Sequence, residues 1–216
     1  MTQTTIQLSF FEAILDLLMP GPLYAASLIL IGILLFLFFR KDKGLPRFRT
    51  AFGSLLLYYY LGIVFRNVVG IPTIKEFIRL DSLGESIFNP IVNWIPFADG
   101  ISFDFILNIL CFIPFGFLCP LISGTYKQLK KVIFLGFLLS LLIEVSQMFT
   151  LYRATDINDL ITNVLGTAAG YLCFRLVVKL RTAITGKAYT DSAANDSSRF
   201  LPPLITLLAF IIIFMI

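Results

Sequence analysis

The chain has 216 residues, of which 58% are hydrophobic, with a mean hydropathy of +0.90 and a net charge of +4. So much apolar content exceeds what a soluble core of this length needs, and it points to a polytopic membrane protein. There is no His, which excludes Ser/His and Cys/His nucleophile pairs, His general bases and His-rich metal sites. The positive charge is read as a matter of membrane orientation, and no nucleic-acid partner is expected.

The first 20 residues carry Glu12 and Asp16 among apolar side chains and no Lys or Arg. A cleavable leader would want a basic start and a small-residue cleavage site, so residues 1–20 are expected to form an uncleaved, external interfacial helix. Pro20-Gly21-Pro22 breaks the chain before a first span over about 23–39, which ends at the basic cluster Arg40, Lys41, Lys43, Arg47 and Arg49. The positive-inside rule places that cluster in the cytoplasm and the N-terminus outside. A second span follows over about 50–69, with Arg66 near its outer end. Residues 71–100 mix charges with Phe77, Phe88, Trp94 and Phe97, the composition of an external segment lying in the interface or re-entering the membrane. Spans three, four and five are expected over about 101–122, 131–149 and 156–178. Residues 182–199 read as a flexible cytoplasmic linker, and 200–216 as a C-terminal transmembrane helix at the lower limit of length.

The expected architecture is an all-α transmembrane bundle of five to six spans, with a membrane domain over residues 21–181. Charge counting supports one orientation. Twelve of the 17 Lys and Arg fall in the inferred cytoplasmic segments, and ten of the 13 acids fall outside or at outer helix ends. Cys111, Cys119 and Cys173 lie in apolar runs without a CxxC pair and are read as small buried hydrophobes.

With that topology, Arg66, Asp104, Asn108, Glu144, Gln147, Asp156, Asp159 and Asn163 all lie within about two turns of the outer ends of four spans. Asp104 and Asn108 are spaced i,i+4, and Glu144 and Gln147 i,i+3. Asp156, Asp159 and Asn163 follow i,i+3,i+7 and run on into Gly166 and Gly170, a GxxxG surface for close helix packing. A carboxylate inside a span costs about 2.5–3.5 kcal/mol. Against the four acids stand Arg66 and Arg153. The remaining negative charge needs protonation, a cation (a divalent ion included), a positively charged ligand group, or free access of water.

The run Glu144-x-x-Gln147, Arg153-x-x-Asp156-x-x-Asp159-x-x-x-Asn163-x-x-Gly166-x-x-x-Gly170 resembles the signature of the VanZ-like family. Asn93-Trp94-Ile95-Pro96-Phe97, and Asp104-x-x-x-Asn108 leading to Phe112-Ile113-Pro114-Phe115-Gly116, agree with it, so the core motifs span 88–174. The family often carries an acid directly before the Asp159 position, where this chain has Asn158. The resemblance implies a bacterial plasma-membrane protein whose founding relatives are associated with resistance to teicoplanin-type lipoglycopeptides. It extends the candidate ligand-binding set to Arg66, Asn93, Asp104, Asn108, Glu144, Gln147, Arg153, Asp156, Asp159 and Asn163. Expected partners are the lipid bilayer and a lipid-linked cell-wall precursor or a lipoglycopeptide. Three readings stay open. One is a binding protein with no chemistry of its own, and the second a membrane-embedded enzyme with Glu144 or Asp159 as general base. The third is a transporter using the same acids as a proton or cation relay, against which the lack of an internal repeat in the hydropathy pattern argues.

Overall fold

The computed structural model describes residues 10–41, 47–97, 100, 102–151, 153–186 and 197–216. Helix α1 (Phe10–Leu18) is short and amphipathic, with Glu12 in its first turn. Pro20 and Gly21 separate it from α2 (Pro22–Lys41), whose leading proline lacks only an N–H that no helix start uses. Two side chains of the next helix cap the end of α1. The Tyr59 hydroxyl donates to the Leu18 carbonyl (2.7 Å) and the Asn67 amide to the Leu17 carbonyl (2.6 Å), satisfying acceptors that a helix C-terminus leaves open.

Helix α3 (Arg47–Ile63) continues into a π-helical turn over Val64–Val69, which Gly70 stops in the left-handed region at φ 63°. Helix α4 (Ile74–Ser82) follows, capped by the Thr73 hydroxyl. An extended stretch then runs to α5 (Phe103–Ile122), which contains Pro114 and Pro120. Helices α6 (Leu129–Gln147) and α7 (Ile157–Thr185) form an antiparallel pair, and α8 (Leu201–Met215) closes the bundle with two prolines in its first turn.

The core is built by Leu57, Tyr58, Leu61 and Phe65 of α3 against Phe112, Phe115 and Ile122 of α5 and Ile205, Ala209 and Ile213 of α8. Helix α7 packs most closely on α5. A Cβ on Gly166 or Gly170 would collide with the Ile109 or Ile113 carbonyl, and one on Gly116 with the Thr167 carbonyl. The GxxxG expectation therefore has a concrete partner, since glycine lets the two backbones touch. Helix α2 covers α3 with one side and leaves Ile29, Leu30, Ile33 and Phe36 exposed, as expected of a helix facing hydrocarbon.

Five stretches are long and apolar enough to cross a membrane: Pro22–Phe39, Phe48–Ser82, Phe103–Ile122, Ile157–Thr185 and Ser198–Met215. Helix α6 has 19 residues but carries Lys130, Lys131 and Glu144, and it completes the bundle by packing on α7. The chain is thus a polytopic helical bundle.

One expectation changes in detail. Helix α7 continues to Thr185 and ends at Gly186 with φ 64°, four residues into the stretch read as linker. Residues 187–196 lie outside the described residues, as do 1–9. Residues 71–97 form α4 and an extended stretch. Beyond α4, the stretch lies across the tips of α6 and α7. The Asn89 amide donates to the Met148 carbonyl (2.9 Å) and the Thr155 amide to the Ile91 carbonyl (2.8 Å). Strand β1 (Val92–Asn93) there pairs in parallel with β2 (Thr155–Asp156).

Candidate functional site at the polar end of the bundle

The connection between α6 and α7 is held by α6's own side chain. Glu144 is buried at 3% exposure. Its Oε2 accepts the Asp156 amide (3.0 Å), and its carbonyl accepts the Thr155 hydroxyl (3.0 Å). Asp156 in turn caps α7, its Oδ1 accepting the Asn158 amide (2.8 Å), where a carboxylate also meets the positive end of the helix dipole. Thr155 and Asp156 are thereby folded back onto the last turn of α6.

Below it, the two helices meet along a polar seam. Ser140, Glu144 and Gln147 are spaced i,i+4,i+7 and share one face of α6. Asn163 of α7 donates from Nδ2 to the Ser140 hydroxyl (3.0 Å). Asp159 faces the other neighbour, accepting from Asn108 of α5 (2.7 Å). Asp104 sits exposed on the first turn of α5. Glu144, Asp156 and Asp159 lie within electrostatic range of one another, and Asp104 and Arg153 within range of Asp159.

Three buried oxygens in this seam accept no hydrogen bond among the described residues: Glu144 Oε1, Gln147 Oε1 and Asn163 Oδ1. Buried acceptors are rarely left so in a folded protein. Among the described residues, no three His, Cys, Asp or Glu side chains gather closely enough to hold a metal.

The structure joins Glu144, Gln147, Asp156 and Asn163 along the α6–α7 seam, with Asp159 and Asn108 on the α5 side. Arg153 sits exposed at the rim, donating to the Val68 carbonyl (3.3 Å) beside Gly70. Asn93 is exposed on β1, level with Asp156 by strand register. Arg66 goes elsewhere: its guanidinium packs on Gly21 at the α1–α2 junction, beside Tyr24, Gly62 and Ile213. The reason is its position on the π-turn, which turns the side chain away from α5 and toward the chain break before α2. Among the described residues no ion pair joins Arg66 or Arg153 to any of the four acids, so the excess negative charge of the cluster is larger than the sequence suggests.

Asn158 is a residue that the spacing argument passed over. It is buried, and its Oδ1 accepts the amide of Phe97 (2.9 Å), a residue held in the left-handed region at φ 57°. One side chain thus ties the extended stretch to α7. An aspartate at this position would offer the same acceptor. Ser140 was also passed over, although it lies one turn before Glu144 on the same face.

A bundle of long apolar helices whose acids and amides gather at one end defines a multi-pass helical membrane protein. The VanZ/LLP1 family model matches residues 55–178, more than half of the chain, and the chain belongs to that family. The match includes every candidate site residue from Arg66 to Asn163. No curated protein and no solved structure matches the chain.

Proposed function

We propose that this protein resides in a bacterial plasma membrane with its polar end outward and there binds a lipid or lipid-linked envelope ligand, protecting the cell against teicoplanin-type lipoglycopeptides. The observation that carries this reading is the gathering of Glu144, Gln147, Asp156, Asp159 and Asn163 at one end of an otherwise apolar bundle. Ionisable groups within spans are costly and concentrate where a membrane protein works. Family membership supports the envelope setting, and the Lys/Arg bias supports the orientation. In cells expressing the protein, Glu144→Ala or Asp156→Ala is expected to abolish drug protection while leaving lipids and peptidoglycan precursors unchanged by mass spectrometry. An altered precursor that depends on the wild-type protein would overturn binding in favour of catalysis.

That second reading has one observation in its favour. With Oε2 engaged by the Asp156 amide, Glu144 keeps a free Oε1 lone pair in a water-poor seam, as a general base requires. Turnover of a lipid-linked substrate by purified protein, lost in Glu144→Gln, is the result that would establish it.

A further inference from the structure

The three unpartnered oxygens of the α6–α7 seam share one chemical character. Each is an acceptor, none is a donor, and only one belongs to a charged group. Glu144 and Gln147 sit one helical turn apart on the face of α6 turned to α7, about 4.5 Å along the axis. Asn163 reaches the same face, because its Nδ2 is fixed on Ser140, one turn before Glu144. Glu144, Gln147 and Asn163 are 3%, 4% and 4% exposed, so bulk water competes poorly for these atoms. Burying an ionised carboxylate beside two amide oxygens, with a donor for only one of its own oxygens, is unfavourable.

We propose that this seam is a monovalent-cation site, in which Glu144 Oε1, Gln147 Oε1 and Asn163 Oδ1 bind an alkali ion or an organic ammonium group. Hard oxygen donors of this mixed carboxylate and carboxamide type suit such a cation. Its charge is set by the site. Asp156 caps α7 and Asp159 accepts from Asn108, so Glu144 is the carboxylate with an unpartnered buried oxygen in the seam, and its other oxygen accepts a backbone amide. A single positive charge neutralises it. A divalent ion would need further carboxylates that the described residues do not bring together. The half-buried Asp156 and exposed Arg153 above the seam mark its open end.

The proposal concerns binding alone, so its failure leaves drug protection untouched, and the reverse also holds. Purified full-length protein in detergent is unfolded thermally at constant ionic strength, with choline chloride replaced stepwise by NaCl, KCl or ethylammonium chloride. A saturable rise in Tm is expected, about 5–10 °C at a hundredfold excess over Kd. A rise with Na⁺ or K⁺ assigns an alkali ion, and one with ethylammonium alone assigns a ligand's ammonium group. Glu144→Gln, which supplies a donor in place of the charge, is expected to fold and to lose the cation dependence. Asn163→Ala and Gln147→Ala are expected to weaken the apparent affinity about tenfold each, and they serve as the test if Glu144→Gln does not fold. Equal Tm values for the wild type in all four salts would overturn the proposal and indicate a proton on Glu144 instead. Undiminished cation dependence in the Glu144, Gln147 and Asn163 variants would overturn it as well.

Discussion

Asn158 shows how much one buried amide can organise at the residue scale. Its backbone N–H completes the cap on Asp156 while its side chain accepts the Phe97 amide, so the extended stretch and the start of α7 are fixed by the same residue. Phe97 could relax from its left-handed conformation if that bond were lost, leaving its edge-on contact to Phe105 (5.6 Å between centroids) and the Gly100 amide on its carbonyl (3.1 Å). Asn158→Ala is therefore expected to cost about 0.5–1.5 kcal/mol of stability, because a part-buried backbone hydrogen bond is lost. Asn158→Asp preserves the acceptor and is expected to stay within about 0.5 kcal/mol of the wild type. Thermal unfolding in detergent checks both, and limited proteolysis at residues 88–97 should be faster in the alanine variant alone.

The contact between α5 and α7 makes the corresponding argument at the scale of elements. Lipid offers no hydrophobic drive to join two apolar helices, so their association rests on close packing. Gly166 and Gly170 let the Ile109 and Ile113 carbonyls of α5 approach, and Gly116 returns the arrangement toward Thr167. A methyl group at Gly170 must push backbone away from backbone, which no rotamer change relieves. Gly170→Ala is expected to destabilise the fold by about 1–3 kcal/mol, read as a lower Tm. Leu172→Ala, on the exposed face of the same helix, is expected to change stability by less than about 0.5 kcal/mol. Since α7 carries Asp159 toward α5 and Asn163 toward α6, the same glycine packing sets the depth of both polar side chains. The α1 cap is a second element-scale device: Tyr59 and Asn67 anchor the short helix through its last carbonyls, and Arg66 fills the space that Gly21 leaves open.

At the scale of the whole molecule, orientation is the property on which function turns. With Cys111, Cys119 and Cys173 replaced by Ala, a lone Ser86→Cys, on the exposed stretch that crosses the polar end, is expected to react with a membrane-impermeant maleimide in intact cells. A lone Ala183→Cys, near the opposite end of α7, is expected to react only after permeabilisation. The reverse pattern would place the acid cluster in the cytoplasm and remove the proposed access to an envelope ligand.

Sequence by itself determined which segments become the long helices, where most of them break and which of their faces are polar. All three follow from local physics: apolar runs of span length, prolines and glycines that stop a helix, and the 3.6-residue period that places Glu144 with Gln147, and Asp156 and Asn163 with Gly166 and Gly170. It also made the charge asymmetry legible, because that is a count along the chain. Only the tertiary structure decided which neighbour each polar side chain meets. Asp159 turns to Asn108 and Asn163 to Ser140, although both stand on one stripe of α7, because two different helices pack on that stripe. Arg66 leaves the cluster through the geometry of a π-turn that no periodicity announces, and residues 91–93 join the α6–α7 connection by strand pairing across more than 60 positions of chain. Those contacts depend on long-range packing and on the reach of individual side chains. Among the described residues they leave three buried oxygens of the seam without a donor, and that property exists only once α6 and α7 are pressed together.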